Sequence, residues 1–209
     1  MSIETTAPIM SGRLLAGRSA LITGGAGAIG RGTARLFAEN GARLAIFDVS
    51  DDALAATKSE LGADHLYLNV DVRDHAACQN AVARVVTAFG GLDILVTMAG
   101  TVPPGGIADI TIDGYDSVMD NHMRGTFNIC QAVAPTMRAQ RRGAIVCMSS
   151  IAAERGGGLR GGAHYAAAKG AILGFARALA RELGPDNIRV NAVCPGPVFT
   201  GRRDLAEMN

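Results

Sequence analysis

Two hydrophobic periods alternate along this chain. Short runs of almost entirely apolar residues recur at 20–23, 44–48, 66–70, 94–97, 144–148 and 189–193. The stretches between them space their apolar residues by three and four. Val82, Val85, Val86 and Phe89 form one such stripe, and Ile172, Phe175, Leu179 and Leu183 form another. That spacing puts them on one side of an α-helix. It predicts helices over 30–40, 51–61, about 74–89, about 112–140 and 165–183. Gly41, Gly62 and Gly90-Gly91 stop the first three. Pro135 falls inside the fourth and is expected to kink it or shorten its last turns.

Strands that are apolar throughout are covered by helices on both faces, which is the habit of parallel sheets. Strict strand–helix alternation with right-handed crossovers then gives an α/β fold: a single domain with a doubly wound, Rossmann-type parallel sheet. Residues 1–17 read as a loose arm, and 18–209 as a dinucleotide-binding and catalytic domain. Ligands on such sheets lie outside the carboxyl ends of the strands, and each chemical motif below falls there or in the next helix.

The first turn, Thr23-Gly24-Gly25-Ala26-Gly27-Ala28-Ile29-Gly30, contains G-x-G-x-x-G at Gly25, Gly27 and Gly30. Glycines let a backbone come close to a pyrophosphate, and the following helix offers free N–H groups and the positive end of its dipole. Taken alone the run could be a glycine-rich surface turn. Here it sits between a strand and a helix, and Asp48 follows at the end of the second strand. Asp48 can accept from a ribose 2′-hydroxyl and would repel a 2′-phosphate. No basic residue follows it in Val49-Ser50-Asp51-Asp52, so NAD is expected rather than NADP. A strand-end aspartate capping the next turn is the plainer alternative. The second signal is Tyr165-Ala166-Ala167-Ala168-Lys169. Residues four apart share a helix face, so the Lys169 ammonium lies one turn from the phenol and favours its ionised form, as acid–base work requires. Y-x-x-x-K is common by chance, and a lysine reaching into water is its ordinary reading.

Composition narrows the field. A chain of 209 residues with 48% apolar and 19% charged residues is ordinary for one globular domain. The formal net charge of +1 supplies no field that would draw nucleic acid or an anionic membrane. Arg141-Arg142 and Arg202-Arg203 are short, separated pairs. Cys78, Cys130, Cys147 and Cys194 make no CxxC and no zinc-type spacing with histidine, so no metal is expected. Their usage suits a reduced, cytoplasmic protein. No run of 18 apolar residues is present.

Together these residues resemble the classical short-chain dehydrogenase/reductase family, over about residues 18–203. Thr23, Gly24 and Gly30 match the family's T-G-x-x-x-G-x-G, with Ala28 in place of its middle glycine. The resemblance implies cofactor contacts from Gly24, Gly27, Ile29, Gly30 and Asp48, and an adenine contact from Asp71-Val72. The family's N-N-A-G stands here as Thr97-Met98-Ala99-Gly100, with Ala99 and Gly100 beside the cofactor. Pro195, Gly196, Val198 and Thr200 match a P-G-x-x-x-T segment that holds the nicotinamide carboxamide. Asn121, Ser150, Tyr165 and Lys169 match the catalytic residues. Ser150 lies 15 residues before Tyr165, and the glycine-rich 156–162 stretch can absorb the extra length.

The implied reaction is reversible hydride transfer between NAD(H) and a small secondary alcohol or ketone. Tyr165 would act as general acid/base and Lys169 would support it and hold the ribose. Ser150 would orient the substrate oxygen, and Asn121 would anchor a water leading to Lys169. Alternatives are a 3-oxoacyl carrier-protein reductase, or a dinucleotide-binding remnant without turnover. The resemblance also implies a homodimer or homotetramer built on the helices over 112–140 and 165–183. Relatives continue through a lid, a further helix and a seventh strand, of which only the start of the lid is present at 202–209. Either the polypeptide is longer than the sequence shown or it is a truncated product.

Overall fold

The computed structural model describes residues 13–157 and 161–198. Six strands form one sheet: β1 (Ser19–Thr23), β2 (Arg43–Asp48), β3 (Leu66–Asn69), β4 (Ile94–Thr97), β5 (Gly143–Met148) and β6 (Ile188–Val193). Their order is β3-β2-β1-β4-β5-β6, and every neighbouring pair is parallel. The helices are α1 (Ala28–Glu39), α2 (Asp51–Leu61), α3 (His75–Phe89), α4 (Ile112–Met119), α5 (Gly125–Gln140), α6 (Ala152–Arg155) and α7 (Ala163–Leu183).

The two faces of β1 show why the strands are apolar throughout. Leu21 packs with Val82, Val85, Ile129, Val133 and Ile172, beneath α3, α5 and α7. Its neighbours Ala20 and Ile22 point the other way, to Ala34 and Leu54 of α1 and α2. β1 and its neighbour β2 therefore bury both of their period-two faces along most of their length, whereas edge strand β6 leaves Arg189, Asn191 and Val193 exposed. Chain progress runs outward from β1 through β2 to β3, then returns past β1 to β4. That reversal opens a crevice between the carboxyl ends of β1 and β4, where open α/β sheets bind ligands.

The expected elements are present, with ends shifted by one or two residues, and three features go beyond them. A π-helical turn (Asp120–Arg124) joins α4 to α5. The short α6 follows β5, and a 3-10 turn (Gly184–Asp186) precedes β6. Pro135 does not shorten α5, which continues to Gln140. The sheet edge is braced by hydroxyls. Thr23 Oγ1 accepts from Met98 N at 3.1 Å and Ala99 N at 3.3 Å, and Thr97 Oγ1 accepts from Met148 N at 3.3 Å. Threonine thus ties β1, β4 and β5 together at the end that carries the site.

Candidate functional site

The glycine turn is shaped by how closely its backbone packs. Gly24 has φ +62°, and a Cβ there would lie 2.7 Å from Ala99 N. Only glycine adopts that conformation at so little cost. A Cβ on Gly30 would collide with the Gly24 carbonyl, so α1 starts hard against the turn. Gly27 caps α1, no side chain accepts from the cap, and no acid occupies the first turn. Gly27, Ala28 and Ile29 are exposed. The Ala28 methyl therefore stands clear of the packed turn. The Asp48 carboxylate reaches the same turn, accepting from Ala26 N at 3.2 Å and from Ser50 N at 3.2 Å. A close-packed glycine cradle, an uncapped helix start and an adjacent carboxylate suit a dinucleotide pyrophosphate and its ribose diol.

Asp71 and Val72 follow β3. Arg73 grips Asp71 through two guanidinium nitrogens, Nε at 2.9–3.0 Å and Nη2 at 2.6 Å. That grip holds the Asp71 carboxyl below the usual carboxylate range. Val72 is buried, and its carbonyl accepts from Asn128 Nδ2 at 2.9 Å.

At the other side of the crevice, Tyr165 and Lys169 stand on one face of α7, both buried, with Lys169 Nζ 5.8 Å from the phenol ring centre. Lys169 Nζ donates to the Met148 carbonyl at 2.8 Å. Burial lowers its pKa to about 8. Two serines end β5 and do different things. Ser149 is buried and donates from Oγ to the Lys169 carbonyl at 2.8 Å, fixing α7 to the strand. Ser150 is partly open, and its Oγ accepts from Ala152 N at 3.1 Å; among the described residues its own proton has no acceptor. Gly161, at φ +93°, lies so close to Tyr165 that a Cβ would sit 2.6 Å from ring carbon Cδ1. Gly161 therefore packs directly on the phenol ring.

Pro195 lies beside this group, its carbonyl accepting from Ile151 N at 3.1 Å. Gly196 and Val198 are exposed next to it, and Thr200 lies outside the described residues. After β4, Ala99 faces Gly24 of the glycine turn, and Gly100 packs against the His122 imidazole. The Asn121 side chain bonds back along its own helix, its Nδ2 donating to the Ser117 carbonyl at 2.7 Å. The sequence reading passed over His122, which is buried, meets the Tyr165 ring edge-on at 5.3 Å and bonds the Thr101 carbonyl through Nε2 at 2.7 Å. Burial, with the Lys169 charge second, lowers its pKa to about 4. A carbonyl only accepts, so Nε2 carries the proton and Nδ1 is left as a buried acceptor with no partner. Among the described residues no cluster of histidine, cysteine and acidic groups could hold a metal, and no helix is long and apolar enough to cross a membrane.

Comparisons with known proteins agree with this geometry. The enoyl-(acyl carrier protein) reductase family model matches residues 24–207. An uncharacterised short-chain type dehydrogenase/reductase, y4mP of Sinorhizobium fredii, is 45% identical over 93% of this chain and 81% of its own length. The 3-oxoacyl-[acyl-carrier-protein] reductase FabG of Chlamydia muridarum is 36% identical over 90% of this chain and 76% of its own. Among solved structures, NAD+-bound xylitol dehydrogenase superposes with a TM-score of 0.84 at 33% identity, over 89% of this chain and 74% of that one.

Proposed function

The chain belongs to the classical short-chain dehydrogenase/reductase family of oxidoreductases acting on CH–OH groups, and from that premise we propose that it is an NAD-dependent alcohol dehydrogenase/ketone reductase using Tyr165 as general acid/base. The observation that carries this reading is the Tyr165–Lys169 pair, buried beside the Ser150 hydroxyl at the end of β5. When NAD is bound, the chemistry it supplies is hydride acceptance at the nicotinamide ring. Gly24, Gly27, Ile29, Gly30 and Asp48 hold the pyrophosphate and adenosine ribose. Asp71 and Val72 meet the adenine, while Ala99, Gly100 and the segment from Pro195 to Thr200 hold the nicotinamide side. Tyr165 Oη takes the hydroxyl proton of the alcohol, or returns one to the ketone. Ser150 Oγ donates to the substrate oxygen and orients it. The Lys169 ammonium favours the phenolate through space and reaches the nicotinamide ribose.

The Asp48 carboxylate beside Ala26 supports NAD over NADP, because a 2′-phosphate there would meet its charge. The test is a panel of small secondary alcohols and ketones assayed with both cofactors. Turnover with NAD at a kcat/KM about tenfold or more above that with NADP supports the reading. Equal use of both refutes the cofactor assignment, and NAD binding without turnover supports a binding remnant instead. The carrier-protein reductase relative at 36% identity favours 3-oxoacyl reduction as the second reading, which NADPH-preferring reduction of a 3-oxoacyl thioester would select.

The assembly we propose is a homodimer or homotetramer of closed symmetry built on α5 and α7. Half-exposed Phe127 on α5 stacks edge-on against Phe175 of α7 at 6.3 Å and gives that face an aromatic patch. A monomer by light scattering at micromolar concentration would refute this. The four free cysteines suit a reducing, cytoplasmic setting.

A further inference from the structure

Two loops that the proposed function assigns to opposite halves of the dinucleotide meet one short piece of chain, the stretch from His122 to Asn128. They meet it in the same way. At the nicotinamide end, Gly100 has φ +151°, and a Cβ on it would fall onto the His122 imidazole. One residue further, the Thr101 carbonyl accepts from His122 Nε2 at 2.7 Å. At the adenine end, a Cβ on Gly125 would lie 2.6 Å from Val72 Cγ2. The carbonyls of Val72 and Arg73 accept from the buried Asn128 Nδ2 at 2.9 and 3.2 Å. Each loop is thus pressed against the helix at a glycine contact too tight for a side chain, and each is tied there by a side-chain N–H on a backbone carbonyl. The two ties are six residues apart, roughly 9 Å along a helix axis. The π-helical turn Asp120–Arg124 brings His122 inward, where it meets Tyr165 edge-on.

We propose that His122 and Asn128 are positioning residues forming a two-point clamp that holds the Gly100-Thr101 loop and the Val72-Arg73 loop in register for one bound dinucleotide. The clamp rests on the NAD-binding reading above and adds to it a division of labour: His122 governs the nicotinamide half and Asn128, with Gly125, the adenine half. A residue that only supported the fold would weaken both halves together, whereas a clamp fails one jaw at a time.

The test uses two probes that need no turnover. AMP binding by calorimetry reads the adenine half, and the fluorescence emission of NADH at saturation reads the environment of the nicotinamide. Asn128→Leu is expected to weaken AMP about tenfold while leaving the bound NADH emission unchanged. Gly125→Ala is the second variant for that jaw. Alanine favours helix over glycine, which offsets part of the cost of the contact with Val72, so this protein should still fold and bind AMP about fivefold more weakly. His122→Leu is expected to shift the emission of bound NADH and leave AMP affinity within about twofold. His122→Gln, which keeps a donor for the Thr101 carbonyl, should restore most of the wild-type emission. If each variant alters both probes, or neither, the clamp is wrong. If the wild-type protein binds neither NADH nor AMP, the NAD reading fails first and the clamp with it.

Discussion

The two ends of the crevice are built from different materials. On the side proposed to hold the adenine half, the groups are a backbone turn, an uncapped helix start and partly exposed carboxylates, with the Asp71 side chain 35% exposed. On the reactive side they are buried titratable side chains: Lys169 is 5% exposed, Tyr165 7% and His122 2%. The difference follows from the tasks. Holding a pyrophosphate needs many fixed N–H groups, which glycine geometry provides without burying charge. Moving a proton needs groups whose charged and neutral forms are close in free energy, and burial shifts Lys169 and His122 in that direction. The reactive end therefore carries a stability cost that the adenine end does not.

Lys169 offers the largest effect by which to break this comparison. Lys169→Met should lower kcat and cofactor affinity together, with kcat/KM falling about 10³-fold, near 4 kcal/mol. The same change should stabilise the folded protein at pH 7. The folded pKa, about 8, lies below the unfolded value of 10.5. The unfolded chain therefore keeps its proton longer, and wild-type stability rises as pH climbs from about 8 to 10.5. Below pH 8 the full cost of the buried charge is present, up to about 3 kcal/mol. Melting temperatures at pH 7 and pH 10 check this: the variant's advantage should shrink at the higher pH. A variant less stable than wild type at pH 7 would mean that its bond to the Met148 carbonyl outweighs the burial cost.

His122 works in the opposite pH range. Its folded pKa, about 4, lies below the usual 6.5. Stability is whole above pH 6.5 and is lost as pH falls towards 4, by up to about 3 kcal/mol. Urea unfolding at pH 7 and pH 4 should show a smaller loss for His122→Gln than for wild type. Equal losses would remove His122 as a source of acid sensitivity.

Asp48, half-buried beside the glycine turn, gives a smaller expected effect. Asp48→Ala should leave melting nearly unchanged and narrow the NAD-over-NADP ratio about tenfold, near 1.4 kcal/mol. The ratio of kcat/KM values with the two cofactors measures it. A large drop in melting temperature would place Asp48 among structural caps, through its bonds to Ala26 N and Ser50 N.

The same division decided what could be read from residues alone. The alternation of periods gave away the sheet, because central strands such as β1 bury both faces, Leu21 on one side and Ala20 and Ile22 on the other. The glycine turn and the Tyr165–Lys169 spacing were legible because their chemistry is set by residues close in sequence. Contacts between distant residues were not. His122 and Asn128 read as ordinary helix positions, since nothing nearby announces that their partners are Thr101 and Val72. The π-helical turn has no local signature either, and it is what turns His122 inward. Thr97, read as a departure from N-N-A-G, proves to be a sheet brace through its hydroxyl. Pro135 does not shorten the last turns of α5, because packing of Val133 and Met137 against the core holds the helix past it.

The central claim is that the buried phenol of Tyr165 moves the proton while the close-packed glycine turn and Asp48 hold the cofactor. Tyr165→Phe removes one hydroxyl and keeps the ring that packs on Gly161 and His122. Measured beside wild type with NAD and the best alcohol of the panel, it should lose about 100-fold or more in kcat. Its NAD affinity by calorimetry should change by less than about threefold, equivalent to roughly 0.7 kcal/mol. A Tyr165→Phe protein that is folded by circular dichroism and keeps most of the wild-type kcat would contradict the account.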